Sequence, residues 1–119
     1  MTKQTNTGLP LEGVRVIEFT HMVMGPTCGM ILADLGAEVI KIEPPGGDKT
    51  RKLPGLGIGF FRSFNRNKKS VVLDIQTTEG MATAKELIGQ SDILLENFRP
   101  GLMNKLGLSY EALAKQFPK

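Results

Sequence analysis

The sequence is poor in the residues from which metal centres and disulfides are built. It carries one cysteine, Cys28, and one histidine, His21. A single cysteine forms no internal disulfide, which fits a reducing, cytoplasmic setting, and one His with one Cys leaves no protein-only zinc set, so no metal is expected. No apolar run approaches the ~20 residues that cross a bilayer, which argues against a membrane protein. The opening MTKQTNTGLP has no apolar stretch behind a basic start and reads as a flexible tail over residues 1–10 rather than a leader. Neither G-x-G-x-x-G nor G-x-x-x-x-G-K-[ST] occurs, so dinucleotide and ATP sites of those kinds are not supported. Acidic side chains are missing from Lys49 through Val72.

What is present describes an ordinary globular chain. Of 119 residues, 40% are hydrophobic and 23% charged, enough for one core in one domain. The net charge of +3 is concentrated in Arg62, Arg66, Lys68 and Lys69. The simplest reading of that run is a solvated face. Nucleic acid is not expected as a partner: it calls for aromatic platforms among the cations, and Phe60, Phe61 and Phe64 are clustered as in a helix core.

The residue pattern alternates strands and helices. Gly13–Phe19 reads as a buried strand, Pro26–Leu35 as a helix opened by Pro, Gly36 as its left-handed terminator, and Ala37–Glu43 as a second strand. These form a βαβ unit with parallel strands. Asp48–Gly59 carries too much Gly and Pro for a regular element and reads as a loop, Phe60–Asn65 as a short helix, and Ser70–Asp74 as a third strand. Thr77 or Thr78 caps the next helix, whose Met81, Ala84, Leu87 and Ile88 share a face. Asp92–Leu95 makes a fourth strand, followed by the turn Glu96–Gly101 and a final Ala/Leu-rich helix behind Ser109. The fold class is therefore α/β, a Rossmann-like open parallel sheet with flanking helices.

Ligands in such sheets bind at the carboxyl ends of the strands, and helix-start amides there favour phosphate or carboxylate. The turn from Thr20 to Pro26 is one such place, with His21 as a site-lining side chain rather than a base, since spacing supplies it with no nucleophile. Met22, Met24 and Met30 read as core or pocket lining, and Cys28 as a buried structural thiol. The turn Glu96–Asn97–Phe98–Arg99 is a second place. There Arg99 offers a planar fork for phosphate or else pairs with Glu96.

Three blocks carry a resemblance: LEGVRVIEFTHMVMGPTCGMILADLGAEVIKIEPPGGD, then FNRNKKSVVLDIQTTEG, then DILLENFRPGLMNKLGLSYEAL. In this order and spacing, from Leu11 to Leu113, they resemble the class III CoA-transferases of the CaiB/BaiF family. The resemblance implies a CoA-binding Rossmann-like domain over residues 11–119, the N-terminal part of that fold and truncated at its C-terminal end. It also implies acyl-CoA and a carboxylic acid as substrates, and an interlocked homodimer at full length. In such enzymes an aspartate takes CoA as an aspartyl-CoA thioester. That aspartate is expected beyond Lys119, because none of Asp34, Asp48, Asp74 or Asp92 stands in its place, so no catalytic residue is assigned and these residues alone are expected to be inactive. A racemase of α-methylacyl-CoA, a non-catalytic CoA- or nucleotide-binding module and a split subunit are the alternatives.

The family's CoA contacts fall by resemblance on Val23 and Met24, on Leu73, Asp74, Ile75 and Gln76, and on Asn97, Phe98 and Arg99. Lys105 stands where a basic residue meets the nucleotide phosphates, and His21 completes the set. Val23 replaces a Gln found in formyl-CoA transferase-like members. Pro44 stands where such members often have an Arg beside the adenine, so that contact is either absent or made by Arg51, Lys52 or another base.

Overall fold

The computed structural model describes residues 8–55 and 57–119, so the first seven positions of the expected tail lie outside the described residues. Four strands, β1 (Arg15–Phe19), β2 (Glu38–Glu43), β3 (Lys68–Val72) and β4 (Ile93–Glu96), form one sheet in the order β3-β2-β1-β4. Every neighbouring pair is parallel. The first three strands step outward on one side of β1, and the chain then crosses to place β4 on the other. The strand order reverses between β1 and β4, the position where open α/β sheets bind ligands.

Both faces of the sheet are covered, which is why its central strands read as nearly continuous apolar runs. One core packs Ile17, Phe19, Ile40 and Ile42 against Ala84 and Ile88 of α3 (Thr78–Gly89) and against Leu108. The opposite core joins Val16 and Val39 to Ala33 of α1 (Met24–Asp34) and to Ala37. Helix α2 (Gly57–Phe64) lies beside α1, and two short helices, α4 (Leu102–Lys105) and α5 (Tyr110–Gln116), follow β4. Thr77 caps α3 by accepting from the Gly80 amide at 3.0 Å, and Gly36 ends α1 at φ +105°.

Four expectations require correction. The Asp48–Gly59 segment is not all loop: Lys49–Lys52 forms a 3₁₀ turn and α2 begins at Gly57. Strand β3 begins at Lys68, and the basic run is no solvated face there. The Lys68 ammonium is sealed under α1, 2.9 Å from Glu18 Oε1 and 2.8 Å from the Pro26 carbonyl. Phe61 belongs to neither core, because its ring lies 3.8 Å below the Arg51 guanidinium and 6.0 Å from Lys41 Nζ. Cys28 is exposed, on the outer side of α1, so its thiol is not a buried structural group.

Beneath α1 and α2 lies a layer of buried charge. Glu18, Lys41, Glu43 and Asp48 are all at most 5% exposed. Glu18 and Lys41 are direct cross-strand partners in the β1–β2 register, and a charge so deeply buried persists only when paired and hydrogen-bonded. Glu18 receives Lys68 and the Thr20 hydroxyl, while Lys41 bridges Asp48 at 3.1 Å and the Thr20 carbonyl at 2.9 Å. Glu43 accepts from Arg51 Nε at 2.8 Å and Nη2 at 2.7 Å, from the Asp48 amide and from the Ser70 hydroxyl.

Candidate functional site

The carboxyl edge at the strand-order reversal is built from two turns, one after β1 and one after β4. Asn97 joins them. Its Oδ1 accepts from the His21 amide at 3.0 Å, and its Nδ2 donates to the His21 carbonyl, also at 3.0 Å. The next residue, Phe98, stacks its ring on the His21 imidazole with centroids 5.5 Å apart and planes 24° from parallel. His21 itself is exposed and packs against a residue of the sheet's larger core, so the pair forms an apolar shelf at the water boundary.

Helix α1 starts immediately beyond this clamp. Its N-cap, Val23, supplies no side-chain hydrogen bond, the first turn holds no acidic residue, and Pro26 has no N–H. The Met24 and Gly25 amides are thus left without a side-chain cap at the positive end of an eleven-residue helix. Gly25 is required there: a Cβ would stand 2.6 Å from Thr20 Cγ2 and 2.7 Å from Asn97 Cγ. The glycine lets the helix start press against the β4 turn.

The turn after β1 is fixed on its other side as well. Met22 adopts a left-handed conformation, φ +65°, and donates its amide to the Thr50 hydroxyl at 3.2 Å. Thr50 is 1% exposed, and both its amide (2.9 Å) and its hydroxyl (2.8 Å) donate to Asp48 Oδ1. Burial pushes the Asp48 carboxyl up, but the two Thr50 donors and Lys41 outweigh it and hold the group below the usual carboxylate range.

The expected site residues separate into groups. His21, Val23, Met24, Asn97 and Phe98 meet at the β1–β4 edge, and Arg99 follows them on the exposed turn. Arg99 does not pair with Glu96, whose carboxylate caps the Phe98 amide at 2.9 Å, and Arg99 has no ion pair among the described residues. Lys105 ends α4, exposed and likewise without an ion pair among the described residues. Leu73, Asp74, Ile75 and Gln76 lie at the same sheet edge but two strands away, beyond β2, roughly 10 Å across at ordinary strand spacing. Leu73 and Ile75 point their apolar side chains into the larger core, whereas Asp74 and Gln76 are exposed and joined by an Asp74 Oδ1 contact with the Gln76 amide. Met24 is 80% exposed, so it lines an open surface and not a core.

Sequence reading missed Lys41, Asp48 and Thr50. The available signal was the matched placement of Glu18 in VIEF and Lys41 in VIKI, a charge of each sign in the same position of two otherwise apolar four-residue runs. Among the described residues no group of His, Cys, Asp and Glu is placed to hold a metal ion, and no helix is long and apolar enough to cross a membrane.

Residues 11–119 match the profile of CoA-transferase family III. The formyl-CoA:oxalate CoA-transferase of Bradyrhizobium sp. (strain ORS 278) is 43% identical over 114 residues, 92% of this chain and 27% of that protein. The succinate–glutarate CoA-transferase of Agrobacterium fabrum is 40% identical over 130 aligned positions, spanning all of this chain and 32% of the relative. A crystal structure of a hypothetical protein from Mycobacterium tuberculosis superposes with a TM-score of 0.88 at 44% identity, covering 93% of this chain and 31% of that one. The chain therefore spans about three-tenths of the length of the proteins it matches.

Proposed function

The chain belongs to CoA-transferase family III, and from that premise we propose that it forms the CoA-binding part of an acyl-CoA:carboxylate CoA-transferase. The observation that carries this reading is the clamped β1–β4 edge. There an uncapped helix start adjoins an exposed imidazole–phenyl shelf, and Arg99, without an ion pair among the described residues, follows Phe98 on the exposed turn. The amides and Arg99 suit the phosphates of CoA, the stacked pair suits an apolar or planar portion, and Lys105 adds a second cation nearby in sequence. Leu73 to Gln76, at the far side of β2, would meet a different part of the same long ligand.

Transfer needs a carboxylate nucleophile, and the aspartates present are otherwise engaged. Asp34 pairs with Arg66, Asp48 is buried on Thr50 and Lys41, Asp92 accepts from the Arg15 amide, and Asp74 closes its own turn. We assign the nucleophile to sequence outside these 119 residues. There an aspartate attacks the donor thioester, the C–S bond breaks, and CoA leaves as thiolate from an acyl-aspartyl anhydride. The thiolate then attacks the aspartyl carbonyl and releases the donor acid. The acceptor carboxylate attacks the carbonyl of the resulting aspartyl-CoA thioester, breaking its C–S bond and expelling CoA thiolate to leave a second anhydride. Attack of that thiolate on the acceptor carbonyl yields the new thioester and frees the aspartate carboxylate. A cytoplasmic homodimer is the setting proposed for the whole enzyme.

Calorimetric titration of CoA into the protein tests the binding reading, with dephospho-CoA and pantetheine as comparators. Saturable binding that weakens in that order supports it. CoA and pantetheine binding alike would remove the assignment of phosphate to this edge. Hydroxylamine trapping of an aspartyl thioester in the full-length enzyme tests the transfer chemistry.

A further inference from the structure

The turn between β1 and α1 is held in a conformation that its own sequence does not favour. Left-handed backbone is sterically disfavoured at a non-glycine residue and persists only where the surroundings enforce it. Met22, at φ +65°, is such a residue, and it immediately precedes Val23 and the uncapped amides of α1. Asn97 restrains the preceding residue from the β4 side. On the β2 side the restraint on Met22 itself is a single oxygen, Thr50 Oγ1.

That oxygen is prepared for the task. The Thr50 hydroxyl has one proton, and Asp48 Oδ1, at 2.8 Å, is a far better acceptor for it than the Met22 thioether at 3.8 Å. With the proton committed to Asp48, the oxygen presents only lone pairs to the Met22 amide. Asp48 is oriented in turn by the buried Lys41 ammonium at its other oxygen. The same ammonium binds the Thr20 carbonyl, so one nitrogen ties down the entry of the turn directly and its apex through Asp48 and Thr50. Apolar residues would fill that space at lower desolvation cost, which makes the retained charge an argument for specificity of conformation.

We propose that Thr50, set by Asp48 and Lys41, is a positioning residue that holds the Met22 turn ready for its ligand. The inference rests on the reading of this edge as the CoA site, since only there does a preformed turn increase affinity. Thr50 touches no ligand in this account; it acts through the Met22 amide.

Two measurements on the whole protein keep this inference separate from the CoA reading. Hydrogen exchange without ligand should show the Met22 amide protected like the amides of β1, and exchange at the rate of an open loop would overturn the proposal whatever CoA does. In Thr50→Val that protection should be lost and the Kd for CoA should rise about tenfold, the equivalent of one hydrogen bond, while Thr50→Ser restores both. Unchanged CoA affinity in a folded Thr50→Val variant that has lost Met22 protection would overturn the positioning role. So would failure of Thr50→Ser to restore affinity. Should Thr50→Val fail to fold, Thr50→Ser and the wild-type exchange rates still decide. Absence of CoA binding by the wild type would remove the CoA reading and, with it, the ligand half of this inference, leaving the exchange result as a separate finding about the turn.

Discussion

Asn97 and His21 form a closed ring of two hydrogen bonds, side-chain amide against backbone, each 3.0 Å long and spanning 76 positions of sequence. The ring joins the two turns that flank the strand-order reversal, and only an amide side chain both accepts and donates in the required sense. Asn97→Ala should therefore lower stability by about 1–3 kcal/mol, since the exposed His21 amide and carbonyl regain water in part. Asn97→Asp keeps the acceptor, loses the donor and sets a negative charge beside the α1 start. It should bind CoA more weakly than Asn97→Ala while unfolding at a similar or higher denaturant concentration. Equal CoA affinities for the two variants would show that the edge does not hold the phosphates.

Two glycines give opposite expectations. Gly29 lies where α1 crosses the buried charges, and a Cβ there would overlap Glu18 Oε1 and sit 2.9 Å from Glu18 Cδ. Glu18 is fixed by Lys68, Thr20 and Lys41 and has no room to withdraw, so Gly29→Ala should cost about 3 kcal/mol or more, or prevent folding. Gly59 is an exposed position of α2 with nothing within 4 Å of a new Cβ. Gly59→Ala should add about 0.5–1 kcal/mol through helix propensity and a less free unfolded chain. Urea denaturation of both variants checks the pair.

The sheet was legible in the sequence because its signals are local. GVRVIEF, AEVIKIE, SVVLD and DILL announce strands by branched apolar runs, and Gly36 and Thr77 mark helix ends by backbone and side-chain chemistry that needs no partner. The turns after β1 and β4 were likewise placed at the carboxyl ends of parallel strands by the alternation of strands and helices. The segment from Asp48 to Gly59 was not legible, although the helix that follows it was. Its 3₁₀ turn exists because Asp48 accepts from Thr50 and is itself held by Lys41 and Glu43, contacts that only the folded sheet supplies. Lys68 misled for the same reason. A lysine among four basic residues reads as solvated, and only the β3–β2–β1 arrangement brings it under α1 to Glu18.

The same buried layer predicts an acid limb of stability. Burial alone would raise the Glu43 carboxyl, but hydrogen bonds from Arg51, Ser70 and the Asp48 amide prevail and lower it from an ordinary 4.5 to about 2. A carboxyl depressed in the folded state stabilises above its unfolded pKa, and that contribution is lost as pH falls through the folded value. Glu43 therefore contributes fully above about pH 4.5 and loses its contribution progressively down to about pH 2, a change of at most ~3 kcal/mol. Asp34, Glu38 and Asp48 are lowered too and share this limb. Glu43→Gln isolates one group: it should be less stable at pH 7 and show a shallower loss between pH 4.5 and 2. Chemical denaturation at several pH values checks this, and parallel curves for the two proteins would contradict it.

Salt separates the two ways in which this edge is proposed to hold CoA. Arg99 and Lys105 are exposed, and a charge meeting phosphate across water is screened at physiological ionic strength, where the Debye length is ~8 Å. The clamp formed by Asn97 and Thr50 contributes through geometry, which salt does not screen. Arg99→Ala should accordingly weaken CoA binding about tenfold at low salt and by a smaller factor near 0.5 M, so that its affinity depends less on salt than that of the wild type. Lys105→Ala should act in the same direction with a smaller effect, because an ammonium offers no bidentate fork. Asn97→Ala and Thr50→Val should instead shift affinity by a constant factor and leave the salt slope unchanged. Titrations at three salt concentrations distinguish the classes, and a wild-type slope that Arg99→Ala leaves unaltered would remove Arg99 from the phosphate contacts.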